Sequence, residues 1–180
     1  MLTVLLGGAR SGKSSLAERL AADGGGAVTY LATCPRIDGD DELATRIAKH
    51  RSDRPAAWTT IEEERDIAGA IERTSDATMI VDCLTTWVSN LQFGGCDEHE
   101  ILRLSETAVD AVRRRTDRTI VISNEVGLGI VPADPSVRQY RDLLGRVNQQ
   151  WVSAADRALL LVAGRALPLH RIEDVAQEPR

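Results

Sequence analysis

Residues 7–14 read Gly7-Gly8-Ala9-Arg10-Ser11-Gly12-Lys13-Ser14, a match to the spacing G-x-x-x-x-G-K-[ST], and they follow directly on the apolar run LTVLL. Few features constrain a fold more tightly. Such a loop can wrap phosphate only when a buried strand ends where the glycines begin and a helix starts where they stop. LTVLL is short, continuous and closed by Gly-Gly, so it reads as a strand covered on both faces. A helix is expected from Ser14 to about Ala22. In that setting the glycines let backbone N–H groups close on phosphate oxygens, and the helix start adds partial positive charge. Lys13 reaches the outer phosphates, and the Ser14 hydroxyl suits Mg²⁺.

The rest of the chain repeats the unit. AVTYLAT (27–33), TMIVDCLT (78–85), TIVISNEV (119–126) and ALLLVAG (158–164) are short, β-rich and bounded by polar residues or glycine. Between them DDELATRIAKH (40–50), EERDIAGAIER (63–73), HEILRLSETAVDAVRRR (99–115) and VRQYRDLLGRVNQQWVSAAD (137–156) space their apolar residues as helices do. Alternation of this kind predicts an α/β fold with a mostly parallel sheet covered on both faces. At 180 residues the chain suits one domain, residues 1–180, with a C-terminal extension from about 165 whose polar end, PLHRIEDVAQEPR (168–180), is expected to be frayed. Only 3% of residues are aromatic against 43% hydrophobic, so Leu, Val, Ile and Ala must fill the core.

Charge and cysteine content exclude several classes. A net charge of −5 argues against a nucleic-acid coat, which needs a broad basic face. Cys34, Cys83 and Cys96 are odd in number and form no C-x-x-C pair, which gives neither a disulfide framework nor a zinc site and points to a reducing, cytoplasmic setting. His99 and His170 have no partners at ligand spacing, and Arg113 to Arg115 reads as a solvated helix end. The opening residues lack a charged leader, and no run approaches the roughly 18 apolar residues of a membrane span.

A phosphate loop needs a second magnesium anchor, normally an acid at the end of a buried strand, and MIVDCL offers Asp82. The same Asp82 could instead cap a helix starting at Leu84. Asn124 and Glu125 end TIVISNEV at the carboxyl edge of the sheet, where open α/β sheets bind ligands, and could equally cap the next loop. The loop alone fits a kinase, a switch GTPase, a motor or a regulatory module. The chain has no N-K-x-D segment to read guanine and no room for motor domains, so a small-molecule transferase leads.

His50 sits among Arg46, Lys49, Arg51 and Arg54. Leu43, Ile47 and His50 fall at helical spacing, which puts the imidazole on the apolar face. The cations lower the charged fraction of the ring and attract polyanions, while the helix end pulls the pKa the other way. Three readings stay open on these residues alone: a nucleophile toward phosphorus, a core histidine, or a phosphate-binding donor.

Taken in order, GGARSGKSSLAE, YLAT, RIAKHRSDRPAAWTTIE, VDCLTTWVSNL, SNEVGLGIVP and RQYRDLLGRVNQ resemble the bifunctional adenosylcobinamide kinase / adenosylcobinamide-phosphate guanylyltransferase family of cobalamin biosynthesis. The resemblance covers about residues 2–164 and implies a RecA-like P-loop NTPase fold and a homotrimer. In that family a histidine within H-x-x-x-R-P attacks the α-phosphorus of GTP. HRSDRP is that segment here, which makes His50 the nucleophile. The implied reactions are phosphorylation of the aminopropanol hydroxyl of adenosylcobinamide by ATP or GTP, then transfer of GMP to the new phosphate. By the same resemblance Ala32, Thr33, Cys34, Arg51, Ser52, Asp53, Arg54 and Glu62 match nucleotide-contacting segments. Glu62 could instead open a solvated helix, and Cys34 could be a small buried residue. The rivals are a P-loop kinase with no guanylyl step and a non-catalytic nucleotide-binding module.

Overall fold

The computed structural model describes residues 1–35, 45, 51 and 54–176. The helix expected over 40–50 lies outside them except for Thr45, as do His50, Ser52 and Asp53.

Strands buried along their whole length, with side chains alternating between two faces, build the sheet. In strand β1 (Leu2–Gly7) Leu2, Val4 and Leu6 face one apolar cluster while Leu5 faces a second. Strand β4 (Thr78–Asp82) repeats this with Met79 and Val81 against Ile80, and strand β5 (Thr119–Ile122) with Val121 against Ile120 and Ile122. Apolar residues on both faces demand helices on both sides of the sheet. Helix α1 (Lys13–Ala22) covers one face through Ala17 and Ala21. Helices α2 (Ile67–Glu72), α3 (Leu84–Phe93), α4 (Glu98–Arg113) and α5 (Pro135–Ala154) supply the larger cluster on the other, which holds Trp87 and Trp151.

Strands β2 (Val28–Ala32), β3 (Thr59–Glu62), β6 (Arg157–Val162) and β7 (Arg165–Pro168) complete a sheet of order β3-β2-β4-β5-β1-β6-β7. All pairs are parallel except β6 with β7. One strand, β5, therefore separates the strand that feeds the glycine loop from β4, which ends in Asp82.

Four expectations differ from the fold. The tail from 168 is not frayed from its start: Pro168 closes the exposed edge strand over 165–168 that pairs with β6, and helix α6 (Ile172–Ala176) follows. TMIVDCLT stops being a strand at Asp82, because α3 starts at Leu84, and TIVISNEV stops at Ile122, so Asn124 and Glu125 lie in the turn that follows, where Asn124 N donates to Thr85 Oγ1. The helix expected over 63–73 shortens to α2, since Glu63 Oε1 accepts the N–H groups of Arg65 and Asp66 in a turn and Asp66 then caps Gly69.

Candidate active site

The glycine loop is held by its own backbone. Gly12, at φ 101°, occupies the left-handed region that glycine enters without a Cβ penalty, and it starts α1 by accepting the N–H of Leu16 at 3.0 Å. The Ser11 carbonyl accepts Gly164 N at 3.0 Å, which ties the loop to the β6–β7 turn, and the Gly7 carbonyl accepts Glu125 N at 3.1 Å. Gly8, Ala9 and Arg10 are exposed, whereas Ser11 is buried and Ser14 half-buried.

Lys13 folds back over this loop. Its Nζ donates to the carbonyls of Gly7 at 2.9 Å and Gly8 at 2.8 Å, and to Ser11 Oγ at 3.4 Å. The side chain is buried, and burial lowers its pKa below the ordinary lysine value while neighbouring Cys83 and Asp82 pull it back up. An ammonium with this much of its shell taken from water responds strongly to an added anion.

Asp82 reaches the same place from β4. Ala32 of β2 pairs with Asp82 on one side and Glu62 of β3 on the other, so the three lie abreast at the carboxyl edge of the sheet. The Tyr30 phenol donates to Asp82 Oδ2, and the Arg54 guanidinium stacks 3.4 Å over the centroid of the Tyr30 ring. Burial first, then the Asp82 carboxylate, push the Tyr30 phenol far above its ordinary pKa, so it stays a donor. Beyond them Arg51 pairs with Glu62 at 2.8 Å on an exposed rim, where such a bridge is worth at most about 1 kcal/mol.

Thr33 is fully buried beside this acid. Its N–H donates to the Asp82 carbonyl at 3.0 Å, and its hydroxyl lies 2.8 Å from both the carbonyl and the N–H of Cys83. Asn90 of α3 holds the Thr33 carbonyl at 2.7 Å. Cys83 is a different kind of thiol from a reactive one: burial raises its pKa. Cys34 is half-buried at the mouth of the same turn.

A second polar group carries the turn after β5. Asn124 N donates to Thr85 Oγ1 at 2.7 Å, and the Asn124 carbonyl accepts Asn148 Nδ2 at 3.1 Å. Tyr140 donates to the Thr85 carbonyl at 2.9 Å. Tyr30, Thr85, Tyr140 and Asn148 are absent from the residues singled out by sequence, although each lies within a segment that carries the resemblance. The fold thus brings Lys13, Asp82, Arg54, Thr33, Ala32 and Glu62 to one sheet edge. Among the described residues no group of three or more His, Cys, Asp or Glu could hold a metal ion, and no helix is long and apolar enough to cross a membrane.

A glycine loop between β1 and α1, a strand-end acid two strands away and a parallel sheet define a RecA-like P-loop NTPase fold. Solved structures agree on the fold. A prototypical ATPase from the type III secretion system of pathogenic bacteria covers 99% of this chain and is covered over 54% of its own, with a TM-score of 0.57 at 11% identity. A Pyrococcus horikoshii OT3 protein, Project ID PH0250, gives a TM-score of 0.57 at 9% identity over 97% of this chain and 88% of its own.

Sequence relatives are more specific. The family described as CobU, cobinamide kinase / cobinamide phosphate guanyltransferase, matches residues 3–169. The bifunctional adenosylcobalamin biosynthesis protein CobP of Pseudomonas aeruginosa is 42% identical over 172 residues, 94% of this chain and 97% of its own. Its Salmonella typhimurium counterpart, CobU, is 39% identical over 91% of this chain and 97% of its own. The chain belongs to the cobinamide kinase / cobinamide phosphate guanyltransferase family.

Proposed function

We propose that this enzyme carries out both reactions of its family on adenosylcobinamide. In the first, the aminopropanol hydroxyl attacks the γ-phosphorus of ATP or GTP; the bond from that phosphorus to the β-bridging oxygen breaks, and nucleoside diphosphate and a proton leave. In the second, a ring nitrogen of His50 attacks the α-phosphorus of GTP and expels pyrophosphate. The phosphate oxygen of the new corrinoid ester then displaces His50 from that phosphorus, which yields adenosyl-GDP-cobinamide and restores the imidazole.

The observation that carries this reading is the family match over residues 3–169, which spans both the phosphate loop and the HRSDRP segment. The geometry adds the means. Phosphoryl transfer needs position and charge neutralisation more than covalent help. Lys13 and the loop amides from Gly7 to Ser14 would cradle the phosphates, and Arg51, Ser52, Asp53 and Arg54 would flank His50 and the transferred nucleotide. Magnesium fits the donors at hand: the Ser14 hydroxyl and the Asp82 carboxylate are hard oxygens of the kind it takes alongside phosphate and water. Bound there, it would neutralise charge on the phosphate oxygens. Ala32, Thr33, Cys34 and Glu62 would line the nucleotide along the carboxyl edge.

The family reading also implies a homotrimer acting as a soluble, cytoplasmic enzyme. Leu128 at 82%, Ile130 at 97% and Val131 at 63% exposure form an apolar stretch on the loop before α5, a surface suited to a subunit contact. Transfer of γ-phosphate to adenosylcobinamide tests the activity. Wild-type protein forms adenosylcobinamide phosphate and Lys13→Ala does not; absence of transfer from both would leave a nucleotide-binding module.

A further inference from the structure

Asp82 is not alone on its face of the sheet. In the β2–β4 register Tyr30 lies opposite Ile80 and Ala32 opposite Asp82, so Tyr30 and Asp82 are diagonal neighbours on the α1 side. With strands about 4.8 Å apart and a rise of about 3.3 Å per residue, such a diagonal spans about 8 Å, a gap that aromatic side chains can bridge and short ones cannot. The Tyr30 ring is 1% exposed and fixed by packing in the smaller core cluster. Arg54 closes its other surface, with the guanidinium 3.4 Å from the centroid. A ring held on both sides gives its hydroxyl one place to go, and that place is Asp82 Oδ2.

We propose that Tyr30 is a positioning residue for the Mg²⁺-nucleotide site: its hydroxyl commits Asp82 Oδ2, fixes the carboxylate and leaves Oδ1 as the atom offered to the cation. This rests on the reading of Asp82 as a magnesium anchor. The physical need is plain. A carboxylate at a strand end turns freely about its terminal torsion, and one ordered oxygen is what an octahedral cation with several waters requires. Groups that orient a ligand in this way usually matter 10–100-fold to metal affinity. The contact also links two stretches distant in sequence, because Arg54 belongs to the segment that carries His50. A buried phenol wants some partner for its own sake, and that alternative makes a different prediction.

Tyr30→Phe keeps the ring and the Arg54 stack and removes only the hydroxyl. Binding of Mn²⁺ to the protein with the β,γ-imido analogue of GTP, followed by electron paramagnetic resonance, separates the cases without turnover. Wild type, Tyr30→Phe and Asp82→Asn are compared, with circular dichroism as the check on folding. The expected result is a Mn²⁺ dissociation constant about tenfold weaker for Tyr30→Phe, with a change in the Mn²⁺ line shape, and a larger loss for Asp82→Asn. If Asp82→Asn weakens Mn²⁺ and a folded Tyr30→Phe matches wild type in affinity and line shape, the phenol is merely a satisfied core group and the proposal is wrong. If Asp82→Asn itself binds Mn²⁺ like wild type, the anchor reading falls and takes the proposal with it.

Discussion

Gly7 is where β1 turns into the phosphate loop, and a single methyl group there should damage both stability and nucleotide binding. A Cβ built on Gly7 would lie 2.3 Å from the Leu161 carbonyl oxygen and 2.9 Å from Ser11 Oγ. The first neighbour is backbone of the paired strand β6, so it cannot swing aside: Gly7 and Leu161 are partners in the β1–β6 register. Relief requires the two strands to part by about 0.7 Å, against the usual closest approach of 3.0 Å. Overpacking of that order costs about 1–3 kcal/mol. The residue also sits at φ 149°, a conformation that L side chains rarely adopt, which adds about 1–3 kcal/mol. Gly7→Ala should therefore lose about 2–6 kcal/mol, a large share of the roughly 5–15 kcal/mol that holds a domain folded. Gly8 is the control. Nothing lies within 4 Å of a Cβ there, so Gly8→Ala should stay within about 0.5 kcal/mol of wild type. Urea unfolding of the three proteins measures the difference. Because the Gly7 carbonyl holds both Lys13 Nζ and Glu125 N, the displaced loop should also bind nucleotide more weakly. Equal midpoints and equal nucleotide affinity for Gly7→Ala and wild type would refute the steric reasoning.

Three further outcomes follow from named contacts. Burial lowers the Lys13 pKa, so the folded chain releases that proton at lower pH than the unfolded chain, and the penalty on the charged lysine is present at neutral pH and fades as pH rises toward 10.5. Wild type should thus gain stability relative to Lys13→Met over that rise, and parallel curves would show that burial does not penalise the charged lysine. Trp151 Nε1 donates to Ser105 Oγ at 3.1 Å with both side chains fully buried, so Ser105→Ala should cost about 1–3 kcal/mol by orphaning the indole N–H, seen as a lower melting temperature. If Ile130 packs between subunits, Ile130→Glu should shift sedimentation toward monomer with the fold intact, and an unchanged assembly would place the contact elsewhere.

What the sequence disclosed depended on how far each signal had to travel. β1, β2, β4, β5 and β6 were legible because strands covered on both faces must be apolar throughout. TTIE and RALP were not, because edge strands with exposed residues carry no such run. TMIVDCLT looked continuous because Thr85 and Cys83 also suit strands, and only tertiary packing of Leu84 and Trp87 turns the chain into α3 at that point. The site divides the same way. Gly7 to Ser14 form a local motif, and Asp82 ends an apolar strand, so both could be read directly. Tyr30 and Tyr140 could not: their partners lie 52 and 55 residues away and are chosen by strand register and helix docking. Asn148 shows the same dependence, since it reads as one more polar residue of an amphipathic helix until its 3.1 Å bond to the Asn124 carbonyl gives it a place.

In the proposed mechanism His50 carries GMP. Protein and Mg²⁺ incubated with GTP labelled at the α-phosphate, then denatured, should retain label in an acid-labile, alkali-stable bond, and His50→Ala should retain none while still forming adenosylcobinamide phosphate. Label at the γ-phosphate should not be retained. Folded, nucleotide-binding wild type that keeps no α-label in the absence of corrinoid would contradict the histidine intermediate and leave the kinase reaction standing alone.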